Sequence, residues 1–357
     1  MVYFQKYHIW AVTMKELLER LCGAYGISGY EDGIREIMLK ELSKCSETEA
    51  DRFGNVVCKK GSGSPKIMLA AHMDEIGLLV KHIDDKGFIR FLDIGGVDDE
   101  TLPAREVRIL TETGEMPGII GFKPPHLKKE EEEKRKKLKS EDLYIDTGLG
   151  KDEVKKKVQI GDPIVFDSRF VDLGNNNVMG KALDNRAGCA VLIEVMKRLK
   201  DFKGTVYGVA TVQEEIGLKG ARTSAFKIRP DFAIALDVGI AGDTPDIKEY
   251  ESGLKLSEGP AITVVESGGR GMVPSAKVKK QLIKCAREAS IPYQLEATKG
   301  GMTDGAIIYM SNEGVMTGGV SIPTRYIHAP SGIANLQDME NAVKLTMEFV
   351  KRISEIA

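Results

Sequence analysis

The chain has 357 residues, 42% hydrophobic and 29% charged, a composition typical of a globular protein with a large buried core. Its formal net charge of −2 offers no general electrostatic attraction to nucleic acid or to an anionic membrane, so neither partner is expected. The sequence has no run of about 18 apolar residues, no secretory signal and no CxxC pair among its five cysteines, so we expect a cytoplasmic protein with reduced thiols.

The segment that ends at His72 predicts two helices followed by two strands. Apolar residues recur at helical spacing over 14–23 and 31–46, and the glycines of GISGYED separate these two stretches. The segments NVVCKK and KIMLAA that follow contain short β-branched or aliphatic runs, which favour strands. The second predicted strand stops at His72.

The pattern differs between about residues 77 and 168. Strand-like segments (LLVKHI, FIRFLDI, EVRILTE, GIIGF and DPIVFDS) are separated there by turns containing glycine, proline or aspartate. Such a pattern is typical of a small all-β unit, and we assign residues 73–169 to an inserted, barrel-like domain. The charged segment KKEEEEKRKKLK at 128–139 predicts a solvent-exposed helix or loop.

From about residue 170 onward, strands alternate with helices as far as the C-terminal helical pattern MENAVKLTMEFVKRI. This alternation predicts an α/β fold with a mainly parallel sheet covered by helices. The strands that precede the β-rich unit are expected to join the same sheet. Residues 1–72 and 170–357 are therefore predicted to form one discontinuous domain.

Five potential metal ligands follow mostly apolar segments of this predicted domain: His72, Asp184, Glu215, Asp237 and His328. Side chains at the carboxyl ends of parallel strands meet at one edge of the sheet, so residues distant in sequence can converge there. Two imidazoles and three carboxylates suit Zn²⁺ or Co²⁺, with Mn²⁺ as a further candidate, better than Mg²⁺ or Ca²⁺. Because such ions acidify bound water and polarise carbonyl groups, hydrolysis is the expected chemistry.

Several of these residues also have an ordinary structural explanation. Taken alone, His72 would be a hydrogen-bonded histidine at a strand end, and Asp184 would cap the helix that follows it. Glu214 and Glu215 would be a surface pair. However, successive side chains point in different directions, so one glutamate can bind a metal while its neighbour takes a proton from water. Asp237 ends a run apolar enough for a fully buried strand, where a surface role is not expected.

The segments AAHMDEIG, KALDNRAG, VQEEIGLKGA, ALDVG and PTRYIHAPSG, together with GISGYE, resemble motifs of the tetrahedral aminopeptidases, a family of dinuclear-metal exopeptidases. The resemblance covers nearly the whole chain from about residue 14. It implies a zinc-exopeptidase-like α/β domain, interrupted by a β-rich dimerisation domain at 73–169. It also implies a homo-oligomer, a tetrahedral shell of twelve subunits, whose interior active sites admit short peptides as substrates.

The resemblance further implies two divalent metal ions in each subunit. Asp184 would bridge the two ions. His72 and Asp237 would complete one site, and Glu215 and His328 would complete the other.

Two other residues at matching motif positions would take part in catalysis. Glu214 would be the general base acting on a water or hydroxide held by the two metals, and Asp74 would orient His72. The peptide bond between Asp184 and Asn185 would be cis, as in related enzymes. Many relatives have aspartate where this chain has Asn185.

Other functions stay open at this point. A related dinuclear carboxypeptidase or deacylase would share the metal ligands, and acetylated or carboxyl-blocked peptides would distinguish it. A glycoside hydrolase is a weaker alternative: some relatives are labelled endoglucanases, yet such enzymes need neither His72 nor His328. A non-catalytic shell protein would not require Glu214. The motifs do not define the preferred N-terminal side chain, although GGRGMVPS and TKGGMTDGA are candidate pocket segments.

Overall fold

The structure is a computed structural model that describes residues 14–127 and 138–357. Most of the charged segment at 128–139 lies outside the described residues, as does His8. The helices are α1 (14–23), α2 (Asp32–Leu42), α3 (Lys151–Lys157), α4 (Leu183–Arg198), α5 (Lys219–Ile228), α6 (Ala276–Glu288), α7 (Gly305–Ile308) and α8 (Leu336–Lys351).

The strands form two separate sheets. They are β1 (Glu47–Ala50), β2 (Val56–Ser62), β3 (Lys66–His72), β4 (Gly77–Ile83), β5 (Ile89–Ile94), β6 (Glu106–Thr111), β7 (Gly114–Gly121), β8 (Tyr144–Asp146), β9 (Pro163–Phe166), β10 (Val171–Gly174), β11 (Asn177–Gly180), β12 (Gly204–Thr211), β13 (Phe232–Ile240), β14 (Ala261–Val265), β15 (Gln294–Ala297), β16 (Met316–Arg325) and β17 (Gly332–Asn335). Six of them, β4 to β9, close into a barrel, and the others form an eleven-stranded sheet.

Four parallel strands form the centre of the large sheet, in the order β12, β3, β13, β16. Each of them is buried along most of its length, which explains why their sequences are nearly continuous apolar runs. The register pairs Thr211 with His72, and Asp237 with Ser321. The polar residues at these strand ends are therefore brought to one edge of the sheet.

The prediction of a mainly parallel sheet is wrong at both flanks of these four strands, and the fold is mixed α/β. Among the other described strands, only β14 and β15 pair parallel with each other. On one side, β2 and β1 pair antiparallel, and on the other side β17, β11 and β10 do the same. The connections between β1 and β2 and between β10 and β11 are short, and a hairpin can join only antiparallel strands. The hairpin between β10 and β11 turns at Asn175 and Asn176, whose φ values of 51° and 62° are conformations that asparagine tolerates.

Helices cover both faces of the large sheet, as predicted. Helix α4 packs against β3 and β13 on one face, where α2 and α8 contact it in turn, and α5 and α7 pack on the opposite face. Strand β3 illustrates the division, since Ile67, Leu69 and Ala71 belong to the α4 side whereas Met68 and Ala70 belong to the α5 side. Within the described ranges, no helix is both long enough and apolar enough to cross a membrane.

The barrel is inserted between strands of the large sheet. The chain leaves that sheet after β3 and returns to it with β10. Around the barrel, neighbouring strands follow the order β4, β5, β8, β7, β6, β9. The barrel has its own apolar core, separate from the cores on either side of the sheet. Strand β8 was not predicted, because three residues are too few for an alternating pattern to be visible. The dimerisation role of residues 73–169 stays a prediction.

A buried cluster of charges connects the loop after β3 with the start of α4. The Glu75 carboxylate accepts hydrogen bonds from Lys181 Nζ at 2.8 Å and from Arg186 Nη2 at 3.3 Å, and all three side chains are buried. Lys181 Nζ also donates to the carbonyl of Ala24, just beyond α1 (3.0 Å). Burial lowers the pKa of Lys181, although the charge of Glu75 opposes this effect. The cluster holds the chain on both sides of Asp184.

We expect Glu75→Gln to reduce the free energy of unfolding by about 3 to 5 kcal/mol, because it leaves two buried cations without their counter-charge. Urea denaturation at a fixed protein concentration measures the change. The exposed Glu112→Gln is the matched control and should shift the value by less than about 0.5 kcal/mol. Equal stability of the two variants would show that the buried cluster does not stabilise the fold.

Candidate metal centre and active site

The residues predicted as metal ligands lie together at the carboxyl edge of the parallel strands. His72 ends β3, Asp237 lies in β13, Asp184 lies at the start of α4, Glu215 follows β12 and His328 follows β16. They come from five separate segments. Their convergence follows from the register of the sheet, which aligns the ends of the central strands.

Asp184 lies between two histidines. Its Oδ1 atom is 3.1 Å from Nε2 of His72, and its Oδ2 atom is 3.5 Å from Nε2 of His328. The capping hydrogen bond at this helix start belongs to the neighbouring residue, because the N–H of Gly188 donates to Oδ1 of Asn185 at 2.9 Å. Each carboxylate oxygen therefore faces a different imidazole.

The peptide bond between Asp184 and Asn185 is cis, in agreement with the expectation. The buried Asn185 side chain donates from Nδ2 to the carbonyl of Leu236 at 2.9 Å and accepts from the backbone N–H of Gly188 at 2.9 Å. An ionised aspartate has no donor for the Leu236 carbonyl. The asparagine therefore satisfies both partners and ties the start of α4 to the strand that carries Asp237.

His72 presents Nε2 to the carboxylates. Its Nδ1 atom lies 3.2 Å from the main-chain carbonyl of Asp74, and since a carbonyl can only accept, Nδ1 carries the proton. On the other side of the ring, Nε2 is 3.7 Å from Asp237 Oδ1 and 3.9 Å from Glu214 Oε2. This ring orientation makes Nε2 the nitrogen that faces the acidic cluster and that can bind a cation there.

His328 is held in the same manner by the barrel. Its Nδ1–H donates to the carbonyl of Gly96 at 2.8 Å, and its Nε2 atom is 3.7 Å from Glu215 Oε2. Gly96 lies in the loop after β5, and a Cβ atom there would be 2.5 Å from Nδ1 of His328. Sequence analysis interpreted this Gly-Gly pair only as a turn. A backbone carbonyl that binds a distant histidine leaves no signal in the sequence.

The two adjacent glutamates face different spaces, as expected for successive side chains. Glu214 lines a cavity of about 500 Å³ beside the cluster, whereas Glu215 lines a smaller one together with Asp184 and His328. Gln213, two residues after the end of β12, has a φ of 55°. One carboxylate is therefore available on each side of the cluster.

Asp74 holds this glutamate pair in place. Its carboxylate accepts the backbone N–H groups of Glu214 (3.0 Å) and Glu215 (3.2 Å) and the hydroxyl of Ser28 (2.6 Å). The predicted contact of Asp74 with His72 is different in detail, because the main-chain carbonyl at 3.2 Å is nearer than the carboxylate at 3.5 Å. The contact of Ser28, from the GISGYE motif, was not predicted.

The cluster has more buried acids than cations. Burial raises the pKa of Glu214, Glu215 and Asp237 well above the usual values, and neighbouring carboxylates raise it further. Burial opposes protonation of His72, but the charge of Glu214 and the hydrogen bond to Asp184 raise its pKa well above the usual value. Among the described residues, no lysine or arginine lines the adjoining cavity. A cation is the missing electrostatic partner.

The donor atoms are close enough to hold metal ions. Two groups have potential ligand atoms within 4.8 Å of one another, and they are His72, Glu214 and Asp237, and His72, Asp184 and Glu215. Imidazole and carboxylate together form a suitable donor set for transition metals. The residues present therefore fit the metals that the sequence predicts.

A cavity of about 500 Å³ opens onto the cluster. Of the two glycine-rich segments proposed for the pocket, the one at 298–306 contributes Thr298 and residues 300–303, whereas the other contributes none of the described lining residues. His82 and His126 are not among the described lining residues. The cavity is large enough to hold the end of a peptide.

Comparisons with known proteins agree with this geometry. The sequence profile of the M42 glutamyl aminopeptidase family matches residues 54–345. An aminopeptidase from Desulfurococcus kamchatkensis is 40% identical, with 96% of this chain and 95% of that chain covered and a TM-score of 0.92. The TET1 peptidase of Pyrococcus horikoshii is 35% identical, with 94% and 99% covered and a TM-score of 0.84.

A curated relative is similar over the same length. The lysyl aminopeptidase of Pyrococcus furiosus is 35% identical over 343 residues, which are 95% of this chain and 97% of that protein. The profile match, the shared fold and these identities lead to one conclusion. The chain belongs to the M42 glutamyl aminopeptidase family and is a peptide hydrolase.

Proposed function

We propose that this protein is a metal-dependent aminopeptidase that releases N-terminal residues from short peptides. The observation that carries the proposal is the position of Asp184, whose two oxygens face His72 and His328 separately. In this assignment Asp184 bridges two divalent cations. His72 and Asp237 complete one site, Glu215 and His328 complete the other, and Zn²⁺ or Co²⁺ suits these donors, with Mn²⁺ as a further candidate.

When bound, two such cations polarise the scissile carbonyl and acidify water. Glu214 supplies the proton transfer in this proposal, taking a proton from the attacking water and passing it to the leaving amine. Its carboxylate lines the substrate cavity, and Asp74 fixes its backbone through the N–H contact at 3.0 Å. Glu214 is also near enough to His72 and Asp237 to be a ligand itself, so its role requires a direct test.

The activity is tested with aminoacyl p-nitroanilides and short peptides. Purified protein should hydrolyse substrates with a free amino terminus, including carboxyl-blocked ones, and should not hydrolyse N-acetylated ones. Exhaustive chelation should reduce the rate by about 10²-fold or more, and Zn²⁺, Co²⁺ or Mn²⁺ should restore it. Full activity in protein shown to be metal-free would contradict the metal-dependent mechanism. Preference for a free carboxyl terminus would indicate the carboxypeptidase alternative.

We also propose that the subunits form a closed homo-oligomeric shell, with the barrel at 73–169 as a dimerisation domain. The support is similarity over nearly the whole chain to the TET1 peptidase, which assembles into a tetrahedron or an octahedral shell. The barrel also exposes Leu92 and Ile119. Light scattering on the active protein tests the expected twelve-subunit mass. A cytoplasmic location stays a prediction.

A further inference from the structure

Besides Glu214, the cavity contains two buried carboxylates that the proposed metal sites and the proposed proton transfer do not use. Glu266 follows β14 and Glu296 lies in β15, and these residues are only 5% and 9% exposed. The Glu266 carboxylate accepts the hydroxyl of Thr303 at 2.7 Å, and the Glu296 carboxyl has the hydroxyl of Ser321 as its hydrogen-bond partner. Neither glutamate was singled out by sequence analysis.

Glu296 lies against the strand that carries a proposed metal ligand. A Cβ atom on Gly239 would be 2.6 Å from Oε1 of Glu296, so the absence of a side chain at this position leaves room for the carboxylate. Gly239 is two residues beyond Asp237, hence about 6 to 7 Å farther along the same face of β13. The carboxylate therefore lies about one long side chain away from the metal cluster.

A basic N-terminal residue has two cations, the α-ammonium group and the side-chain cation, and this distance determines which of them can reach Glu296. The α-ammonium is only two bonds from the scissile carbonyl carbon, so it stays beside the metal cluster. An extended lysine side chain places its ammonium about 6 Å from Cα. Only the side-chain cation can therefore reach Glu296 while the carbonyl occupies the reaction site.

The cavity walls suit such a side chain. Ile240, Ile247 and Met302 line the cavity and can cover the methylene stem, while the carboxylates face the charged end. Burial raises the pKa of Glu296 to about 7 and that of Glu266 to about 6. The charge of Glu266 contributes to the raised pKa of Glu296, and both carboxylates line the same cavity. A bound cation would favour the ionised form of both carboxyl groups.

We propose that Glu296, assisted by Glu266, selects substrates with lysine or arginine at the amino terminus by pairing with the side-chain cation. The proposal rests on the aminopeptidase function proposed above and names its substrate class. A glutamyl side chain would place a further negative charge beside Glu266 and Glu296, in a cavity whose described lining residues include no lysine or arginine. The chain would therefore differ in preference from the activity for which its family is named.

The first test compares kcat/KM of the metal-loaded enzyme for lysyl, arginyl, norleucyl, leucyl and glutamyl p-nitroanilides. Norleucine has the stem of lysine without its ammonium, so the lysyl-to-norleucyl ratio measures the contribution of the charge. We expect this ratio to be about 10 to 100, with glutamyl hydrolysis the slowest. A ratio near one, or a preference for glutamyl substrate, overturns the proposal. If no substrate with a free amino terminus is hydrolysed, the aminopeptidase function itself is wrong.

The second test determines whether Glu296 is responsible for the preference for lysyl over norleucyl substrate. Glu296→Gln should reduce the lysyl-to-norleucyl ratio about 10- to 100-fold, whereas Glu296→Asp, which keeps the charge, should retain more of it. The exposed Glu313→Gln is the matched control and should keep the ratio of the unmodified enzyme. Hydrolysis of norleucyl substrate by each variant reports that it is folded. A lysyl preference that survives both Glu296→Gln and Glu266→Gln overturns the assignment, and if these variants do not fold, the unmodified enzyme's ratio decides.

Discussion

Glu214→Gln is expected to lower kcat by about 10²-fold or more while both metal ions stay bound. The amide has nearly the shape of the carboxylate, and the backbone of residue 214 stays fixed by Asp74, so the substitution removes the proton acceptor with little other change. Steady-state rates with an aminoacyl p-nitroanilide, together with metal content by elemental analysis, measure the two effects separately.

Metal content decides between the two roles that the geometry allows for Glu214. Its Oε2 atom is 3.9 Å from His72 Nε2, so a variant that loses one ion would identify Glu214 as a ligand. Glu215→Gln is the natural comparison, because the neighbouring residue is the proposed ligand and its loss should weaken one site. Normal turnover by Glu214→Gln would remove this residue from the mechanism.

Asp184→Asn is expected to weaken the binding of both metal ions together. The carboxylate presents one oxygen to His72 and the other to His328, whereas asparagine has one oxygen and no negative charge. Loss of an outer hydrogen-bond partner already costs about 10- to 100-fold in metal affinity, so loss of a shared ligand should cost at least as much at each site. Activity should fall in parallel with metal content.

Titration against a competing chelator measures this coupling. Asp237→Asn serves as the control, because its side chain is assigned to one ion only and should weaken that ion selectively. If Asp184→Asn also releases only one ion, Asp184 does not bridge. Near-ultraviolet circular dichroism of the variant without metal would show whether its subunit retains the native packing.

The parts of the fold that could be predicted are those encoded by local pattern. Buried parallel strands require apolar runs, and polar residues that terminate such runs, as at His72, are visible in the sequence. The pairings of β2 with β12 and of β11 with β17 were missed because they join segments distant in sequence, which periodicity does not report. Strand β15 was missed for the same reason, and with it the position of Glu296 in the cavity.

The side chains of the candidate site could be predicted from the sequence, but the groups that orient them could not. Acidic and histidine side chains after apolar runs are recognisable, yet the groups that orient them include backbone atoms. The carbonyls of Gly96 and Asp74 bind the two histidines, and because every residue has a main-chain carbonyl, neither contact is visible in the sequence. The carboxylate of Asp74 is nearer to the glutamate backbone than to His72, which no spacing rule indicates.

The hydrogen bond from His328 to Gly96 connects the α/β fold with the inserted barrel. Gly96 belongs to the barrel insertion, whereas His328 belongs to the α/β fold. A displacement of the barrel relative to the sheet therefore rotates or frees an imidazole beside Asp184 and Glu215. Excising the barrel would leave the histidine without its orienting carbonyl, so the insertion forms part of the candidate active site as well as a candidate surface for joining subunits.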